Sequence, residues 1–250
     1  MFVENLQKEG IFVVHALQGY EHHAERVEKL FAQHQLNFEF VTEGDVSRLT
    51  DELLGKYFVQ DILKHVRKGM VSCTLNHIYA LQKIVERELP YGIIFEDDPC
   101  FLGNFLEKLQ KVEKEILRLP EGFIISLENT TLTFPSFWQT KRSQQLYPAK
   151  MGRMAGAYLI DFAAAQAALE DLKKYKCGEA VDWWHNKLIA RNVLKLYWLH
   201  PPIVEQGSHN GLLSATISSK PNGWLRRAKW LFQKTYKYYF LRLFNERRLL

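Results

Sequence analysis

Apolar residues follow two rhythms along this chain. Ile11 to Leu17 (IFVVHAL), Tyr91 to Glu96 (YGIIFE) and Phe123 to Leu127 (FIISL) are predominantly apolar runs of strand length. Phe38 to Val41, Ala157 to Ile160 and Leu194 to Trp198 are shorter runs of the same kind. Between them apolar residues recur every three or four positions, the spacing that keeps them on one side of a helix. Val27, Leu30 and Phe31 do so within His22 to His34. Leu75, Ile78, Leu81 and Val85 do so within Ser72 to Glu88, which Pro90 closes. Phe105, Leu109, Val112, Ile116 and Leu119 follow Asn104, a suitable N-cap. A further helix begins near Asp161 with Phe162, Ala165, Leu169 and Leu172, and Val181 to Val193 makes another. Strands alternating with helices predict an α/β domain with a largely parallel sheet flanked by helices. The polar stretch Ser143 to Lys150 predicts a loop, and no internal repeat is visible.

Composition refines this picture in one place. With 47% hydrophobic and 24% charged residues, the 250-residue chain has the make-up of an ordinary globular protein. No run approaches the roughly 18 apolar residues of a membrane span. Met1 to Gly10 carries Glu4 and Glu9 and no apolar signal core, so no export signal is expected. Cys73, Cys100 and Cys177 fit neither a disulfide framework nor a zinc knuckle, which suits a reducing compartment. The net charge of +5 is unevenly placed. Residues 220–250 hold nine Lys and Arg against the single acid Glu246, leaving 24 basic and 27 acidic residues in 1–219. The body is therefore mildly acidic and offers nucleic acid no basic face. The division is a body, 1–219, and a basic aromatic tail, 220–250.

The sharpest chemical feature is Glu96-Asp97-Asp98, three carboxylates directly after an apolar strand. Open α/β sheets bind ligands at such strand ends. Like charges this close need a cation, and carboxylate oxygens favour hard ions such as Mn²⁺ or Mg²⁺, which in turn grip a diphosphate. A solvated loop, with Asp98 capping the turn at Pro99, is the plainer reading.

Six ordered segments decide between them. The opening strand with Arg26, Ser72-Cys73-Thr74-Leu75-Asn76-His77, Ile93-Ile94-Phe95-Glu96-Asp97-Asp98, Gly156-Ala157-Tyr158-Leu159-Ile160, Val181-Asp182-Trp183, and the block from Pro201 to Gly211 come in sequence over roughly residues 11–217. Together they resemble glycosyltransferase family 25, the lipooligosaccharide and lipopolysaccharide biosynthesis transferases. The resemblance implies a GT-A fold, a UDP-sugar donor (most often galactose), a divalent metal, an inverting reaction and an oligosaccharide or lipid-linked glycan acceptor. His15 stands where the family usually has Asn, Asn76 where it has Ser or Lys, and Pro99 where it has an aliphatic residue.

Roles follow from that chemistry. Glu96 and Asp98 lie two apart on an extended segment and point the same way, so both are candidate metal ligands, Asp98 first. Asp97 contacts the donor ribose or sugar, or orients its neighbours. Inversion requires a base for the acceptor hydroxyl. Asp182 is the candidate, beside Trp183 and Trp184, whose rings suit stacking on acceptor sugars; Asp182 is equally placed to cap a helix. His77 is either a donor ligand or a satisfied core histidine. His209 is either a third metal ligand or part of a turn. Gln206, Gly207 and Ser208 are placed to contact the diphosphate. Arg26 and Arg153 either balance phosphate charge or form surface ion pairs.

Two other functions compete. A nucleotidyltransferase also sets strand-end carboxylates on metal, but it needs a glycine-rich N-terminal loop, and residues 11–26 hold only Gly19. A non-catalytic glycan-binding protein has no use for an intact acidic triplet. The tail, wound as a helix from about Trp224, sets Leu225, Ala228, Leu231, Phe232, Thr235, Tyr239 and Leu243 on one side. Arg226, Arg227, Lys229, Gln233, Lys234 and Lys237 lie on the other, and Arg242 interrupts the apolar side. Such a basic amphipathic helix lies in an anionic membrane interface, or else its apolar side packs on the body. The membrane reading places the protein in the cytoplasm, peripheral on the inner face of the bacterial inner membrane.

Overall fold

A computed structural model describes residues 2–129, 134–152, 155–210 and 224–243; the side chains of 2, 3, 5, 209–210 and 224–226 are outside it. Arg153, which the sequence offered as a phosphate partner, lies outside the described residues, as do tail residues 220–223 and 244–250.

Among the described residues seven strands form one sheet, in the order β2-β1-β3-β7-β5-β8-β6. They are β1 (Ile11–Val14), β2 (Glu39–Val41), β3 (Tyr91–Glu96), β5 (Phe123–Ser126), β6 (Leu146–Ala149), β7 (Ala157–Asp161) and β8 (Lys195–Leu199). β1, β2, β3, β5 and β8 share one direction, while β7 runs against both its neighbours and β6 runs against β8. The expected mostly parallel sheet flanked by helices is therefore present, with two reversed strands. Ser143 to Lys150 is not all loop: Leu146–Ala149 is an edge strand with Pro148 opposite Tyr197. Proline is tolerated at a sheet edge, and the polar residues around it are what disguised the strand.

Each strand divides its side chains between two faces. Phe12, Val14, Ile94, Tyr158 and Ile160 join one core, and Ile11, Val13, Ile93, Phe95 and Leu159 the other. The first core is covered by α4 (Lys68–Glu86), α6 (Phe162–Tyr175) and α7 (Val181–Ala190), and the second by α2 (Glu21–Gln33) and α5 (Phe105–Ile116). α5 buries Phe105, Leu109, Val112 and Ile116, at roughly 1.5–3 kcal/mol each, and Asn104 caps it by accepting from the Glu107 N–H at 3.1 Å. Asp161 ends β7, caps α6 through the Ala164 N–H and also accepts from the Gly122 and Phe123 N–H groups. One carboxylate thus aligns two neighbouring strands.

Two short strands that the apolar pattern did not reveal, β4 (Pro99–Phe101) and β9 (Val204–Gln206), pair antiparallel, with Pro99 opposite Gln206. They bring the last part of the body back to the carboxylate loop.

The C-terminal helix α9 (Trp224–Thr235) continues into a π-helical turn, Tyr236–Phe240, and a final 3₁₀ turn. It is tied to the body by an ion pair between Lys234 and Glu205 at 2.6 Å. Buried Arg242 donates to the Pro135 carbonyl at 2.7 Å and stacks over Phe137 and Tyr238. Arg242, a flaw in the amphipathic pattern, is thus the tail's anchor. The side expected to be apolar is not what packs on the body: Leu231, Phe232, Tyr239 and Leu243 are exposed, together with Tyr236 and Phe240.

Candidate active site

The carboxyl ends of β1, β3 and β5 and the start of the reversed strand β7 meet at one edge of the sheet, where chain polarity places ligands. A cleft of about 270 Å³ opens there, lined among others by His15, Tyr20, Arg67, Cys73, Glu96 and Asp97.

The three acids at the end of β3 have three different surroundings. Glu96 Oε2 accepts from the Gln206 amide at 2.9 Å, and Oε1 faces the Cys73 thiol at 3.9 Å. Burial first, then the charges of Asp98, Asp97 and Asp182, push its pKa up to about 8. Asp97 sits between His15 Nδ1 at 2.8 Å and His23 Nδ1 at 3.3 Å. Burial pushes its pKa up, but the two imidazoles outweigh that and hold it below the usual range. Asp98 accepts from the Ser208 N–H at 2.9 Å through Oδ2, and its carbonyl accepts from the Gly207 N–H at 2.8 Å. Its Oδ1 is buried with no hydrogen-bond partner.

That orphaned oxygen is the test for a cation. A buried carboxylate oxygen with no donor is costly unless something positive meets it. The all-oxygen pair of Asp98 with Glu96 suits a hard divalent ion.

Several candidates change role. Arg26 donates to the carbonyls of Pro99 at 2.8 Å and Asp97 at 3.1 Å. It pins the carboxylate loop, and its guanidinium is directed at backbone rather than at the cleft. Gln206, Gly207 and Ser208 likewise hold Glu96 and Asp98, so the N–H groups of Gly207 and Ser208 are engaged within the protein. His77 is fully buried; its Nδ1 pairs with the Tyr158 hydroxyl at 2.9 Å, and burial takes its pKa down to about 3. Its Nε2 faces Glu96 Oε1 at 3.9 Å. Trp184 is buried in the core, whereas Trp183 is 56% exposed, so only Trp183 offers a face to a sugar. The side chain of His209 lies outside the described residues.

Asp182 is not the N-cap of α7; Ala180 is. Asp182 occupies the first turn, half-buried, with Oδ1 accepting from the Trp183 N–H at 2.9 Å. It borders a small cavity with Ser126, Tyr158 and His185, and its charge is felt at Glu96 and Cys73.

Glu128, which the sequence reading passed over, follows β5 and is buried, accepting from the Ala157 N–H at 2.8 Å. Burial first, then Glu96, pushes its pKa well up. An acid directly after an apolar strand, as at Glu96, was the available signal. Tyr20 and Arg67 were also missed, since both sit outside any apolar pattern.

The sequence model of glycosyltransferase family 25, described as an LPS biosynthesis protein family, matches residues 11–184. Two curated relatives are similar. A putative glycosyltransferase, R655, of Acanthamoeba polyphaga mimivirus is 29% identical over 153 residues, covering 57% of this chain and 47% of the relative. The lipooligosaccharide biosynthesis protein lic2B of Haemophilus influenzae is 27% identical over 133 residues, covering 52% and 48%. The chain spans about half the length of both.

Proposed function

The chain belongs to glycosyltransferase family 25, and on that premise we propose that it transfers a sugar, galactose first, from a UDP-sugar to an oligosaccharide acceptor of bacterial lipooligosaccharide or lipopolysaccharide, with inversion. The observation that carries this reading is the buried, unpartnered Asp98 Oδ1, which follows directly on the Glu96 and Asp97 that line the cleft.

The donor occupies the cleft between the end of β1 and the first turns of α4. Asp98 and Glu96 hold Mn²⁺ or Mg²⁺, which supplies charge neutralisation for the departing diphosphate. The protein's own contribution is to fix those acids: Gln206 and the Ser208 N–H hold their oxygens, and Arg26 holds the backbone between them. Asp97, clamped by His15 and His23, orients the loop and presents its edge to the donor ribose or sugar. Asp182 takes the proton of the acceptor hydroxyl, and exposed Trp183 gives the acceptor ring a stacking face.

The tail rests on an anionic membrane surface, at the cytoplasmic face of the inner membrane, where a lipid-linked acceptor would lie. The outward Leu231, Phe232, Tyr236, Tyr239, Phe240 and Leu243 support this, flanked by exposed Arg227 and Lys229. No described helix is long and apolar enough to cross a membrane.

A donor screen tests the reading. Purified protein with Mn²⁺ and each common UDP-sugar is assayed for UDP release with and without oligosaccharide acceptors. Acceptor-dependent release from one donor, greatest for UDP-galactose, is expected; release from none of them refutes the proposal.

A further inference from the structure

A second set of donor atoms meets in the floor of the cleft. Cys73 and His77 are four residues apart on α4, so their side chains stack on one face, and that face meets the end of β3. Cys73 Sγ and His77 Nε2 each stand 3.9 Å from Glu96 Oε1, and the three donor atoms lie within 4.8 Å of one another.

His77 supplies the observation that calls for a ligand. Its side chain is wholly buried, its Nδ1 is engaged by the Tyr158 hydroxyl, and its Nε2 has no hydrogen-bond partner. At 3.9 Å, Glu96 is too far to be that partner. With Nδ1 donating to Tyr158, the Nε2 lone pair is aimed at the thiol and the carboxylate. Pinning one ring nitrogen so that the other is free and directed is how proteins prepare a metal-binding histidine.

We propose that Cys73, His77 and Glu96 bind a thiophilic divalent cation, Zn²⁺ foremost, at a site that shares Glu96 with the hard-cation position but does not use Asp98. A sulfur, nitrogen and oxygen donor set selects zinc over Mg²⁺ or Mn²⁺. Zinc bonds of about 2.0–2.3 Å set donors roughly 3.3–3.7 Å apart, so the two 3.9 Å separations and the third, within 4.8 Å, close with side-chain rotations. Cys73 and Glu96 line the cleft, which provides entry and a fourth position for water. On binding, the Cys73 thiol releases its proton to solvent and a zinc–sulfur bond forms, with no change of oxidation state. The bound ion occupies Glu96 Oε1 and makes the enzyme sensitive to zinc.

Cobalt is the probe, titrated into the metal-stripped full chain. One equivalent of Co²⁺ should produce sulfur-to-cobalt charge-transfer absorption in the near ultraviolet and strong visible bands of a four-coordinate ion, both abolished by added Zn²⁺. Cys73→Ser keeps the shape and should remove the charge-transfer band, and His77→Gln should weaken Co²⁺ binding at least tenfold. Asp98→Asn should retain the band, which separates this site from the proposed catalytic cation; the test needs no sugar donor and is independent of the transferase reading. Absence of the band from the folded wild-type chain, its survival in Cys73→Ser, or its loss from Asp98→Asn with an unchanged circular dichroism spectrum overturns the proposal.

Discussion

Gln206 reaches Glu96 by passing over Gly156, where a Cβ would strike both the Gln206 amide and the Glu128 carboxylate. Only a residue without a side chain lets these groups cross. Gly156→Ala should therefore push Gln206 off Glu96. The expected cost is about 1–3 kcal/mol of stability, the usual range for overpacking, with turnover falling at least tenfold. Thermal melts and initial rates of UDP release check both, and an unchanged melting temperature with full activity would show that the crossing is slack.

Asp98→Asn keeps an oxygen for the Ser208 N–H and removes the charge. The fold should survive while turnover is lost, and EDTA should have the same effect on the wild type. Full transfer in EDTA, or by a folded Asp98→Asn protein, sinks the cation assignment.

Asp182→Asn separates base from scaffold. Because Ala180 is the N-cap of α7, the change should cost less than about 1 kcal/mol of stability. If Asp182 takes the acceptor proton, kcat should fall by at least roughly 10²-fold with donor affinity unchanged. Equal losses in melting temperature and donor binding would instead mark a structural residue.

Metal affinity should depend on pH. The folded pKa of Glu96 is raised to about 8 by burial and by Asp98, so without metal the folded chain favours the protonated acid. This contribution to stability is full below the ordinary carboxylate range and is lost as pH rises through about 8. Mn²⁺ must displace that proton. Its affinity should climb up to about tenfold per pH unit below pH 8 and then level off, and the ion should restore stability lost at the alkaline end. Calorimetric titration at several pH values reads this directly, and an affinity flat across the range contradicts it.

The tail prediction concerns residues on its outer side. The triple change Leu231→Ser, Phe232→Ser and Tyr239→Ser touches exposed positions and should leave the melting temperature unchanged. Co-sedimentation with anionic vesicles at low salt should fall at least tenfold, and wild-type binding should weaken as salt rises. Equal binding by both proteins refutes the membrane role.

Most of the body was legible because burial and periodicity coincide. The α5 stripe and the runs in β1, β3, β5 and β7 have one dominant partner each, the core, and the pattern records it. Glu96 and Asp98 were legible for a different reason, since clustered charge is visible without neighbours. What stayed hidden depends on contacts distant in sequence. Nothing near Gln206 announces Glu96, and nothing near Arg26 announces the carbonyls of Asp97 and Pro99. Trp183 and Trp184 look alike in sequence, and only the phase of α7 against the sheet buries one and exposes the other. Arg242 looked like an error in a helical pattern until the Pro135 carbonyl and the Phe137 and Tyr238 rings gave it partners.

The pairing of β4 with β9 also sets an order of events during synthesis. Glu96 and Asp98 each meet a partner 110 residues further along the chain, Gln206 and Ser208. At roughly 5–20 residues per second, about 5–20 s separate the emergence of these carboxylates from that of the groups that hold them. Through that interval a nascent chain can pair β1 with β3 and begin its core, yet its acids have no Gln206 or Ser208 to position them. The carboxylate loop is thus completed by late-arriving groups, the Gln206 amide and the Ser208 N–H, and a ribosome stalled before residue 206 would display a partly folded chain whose Glu96 and Asp98 lack these partners.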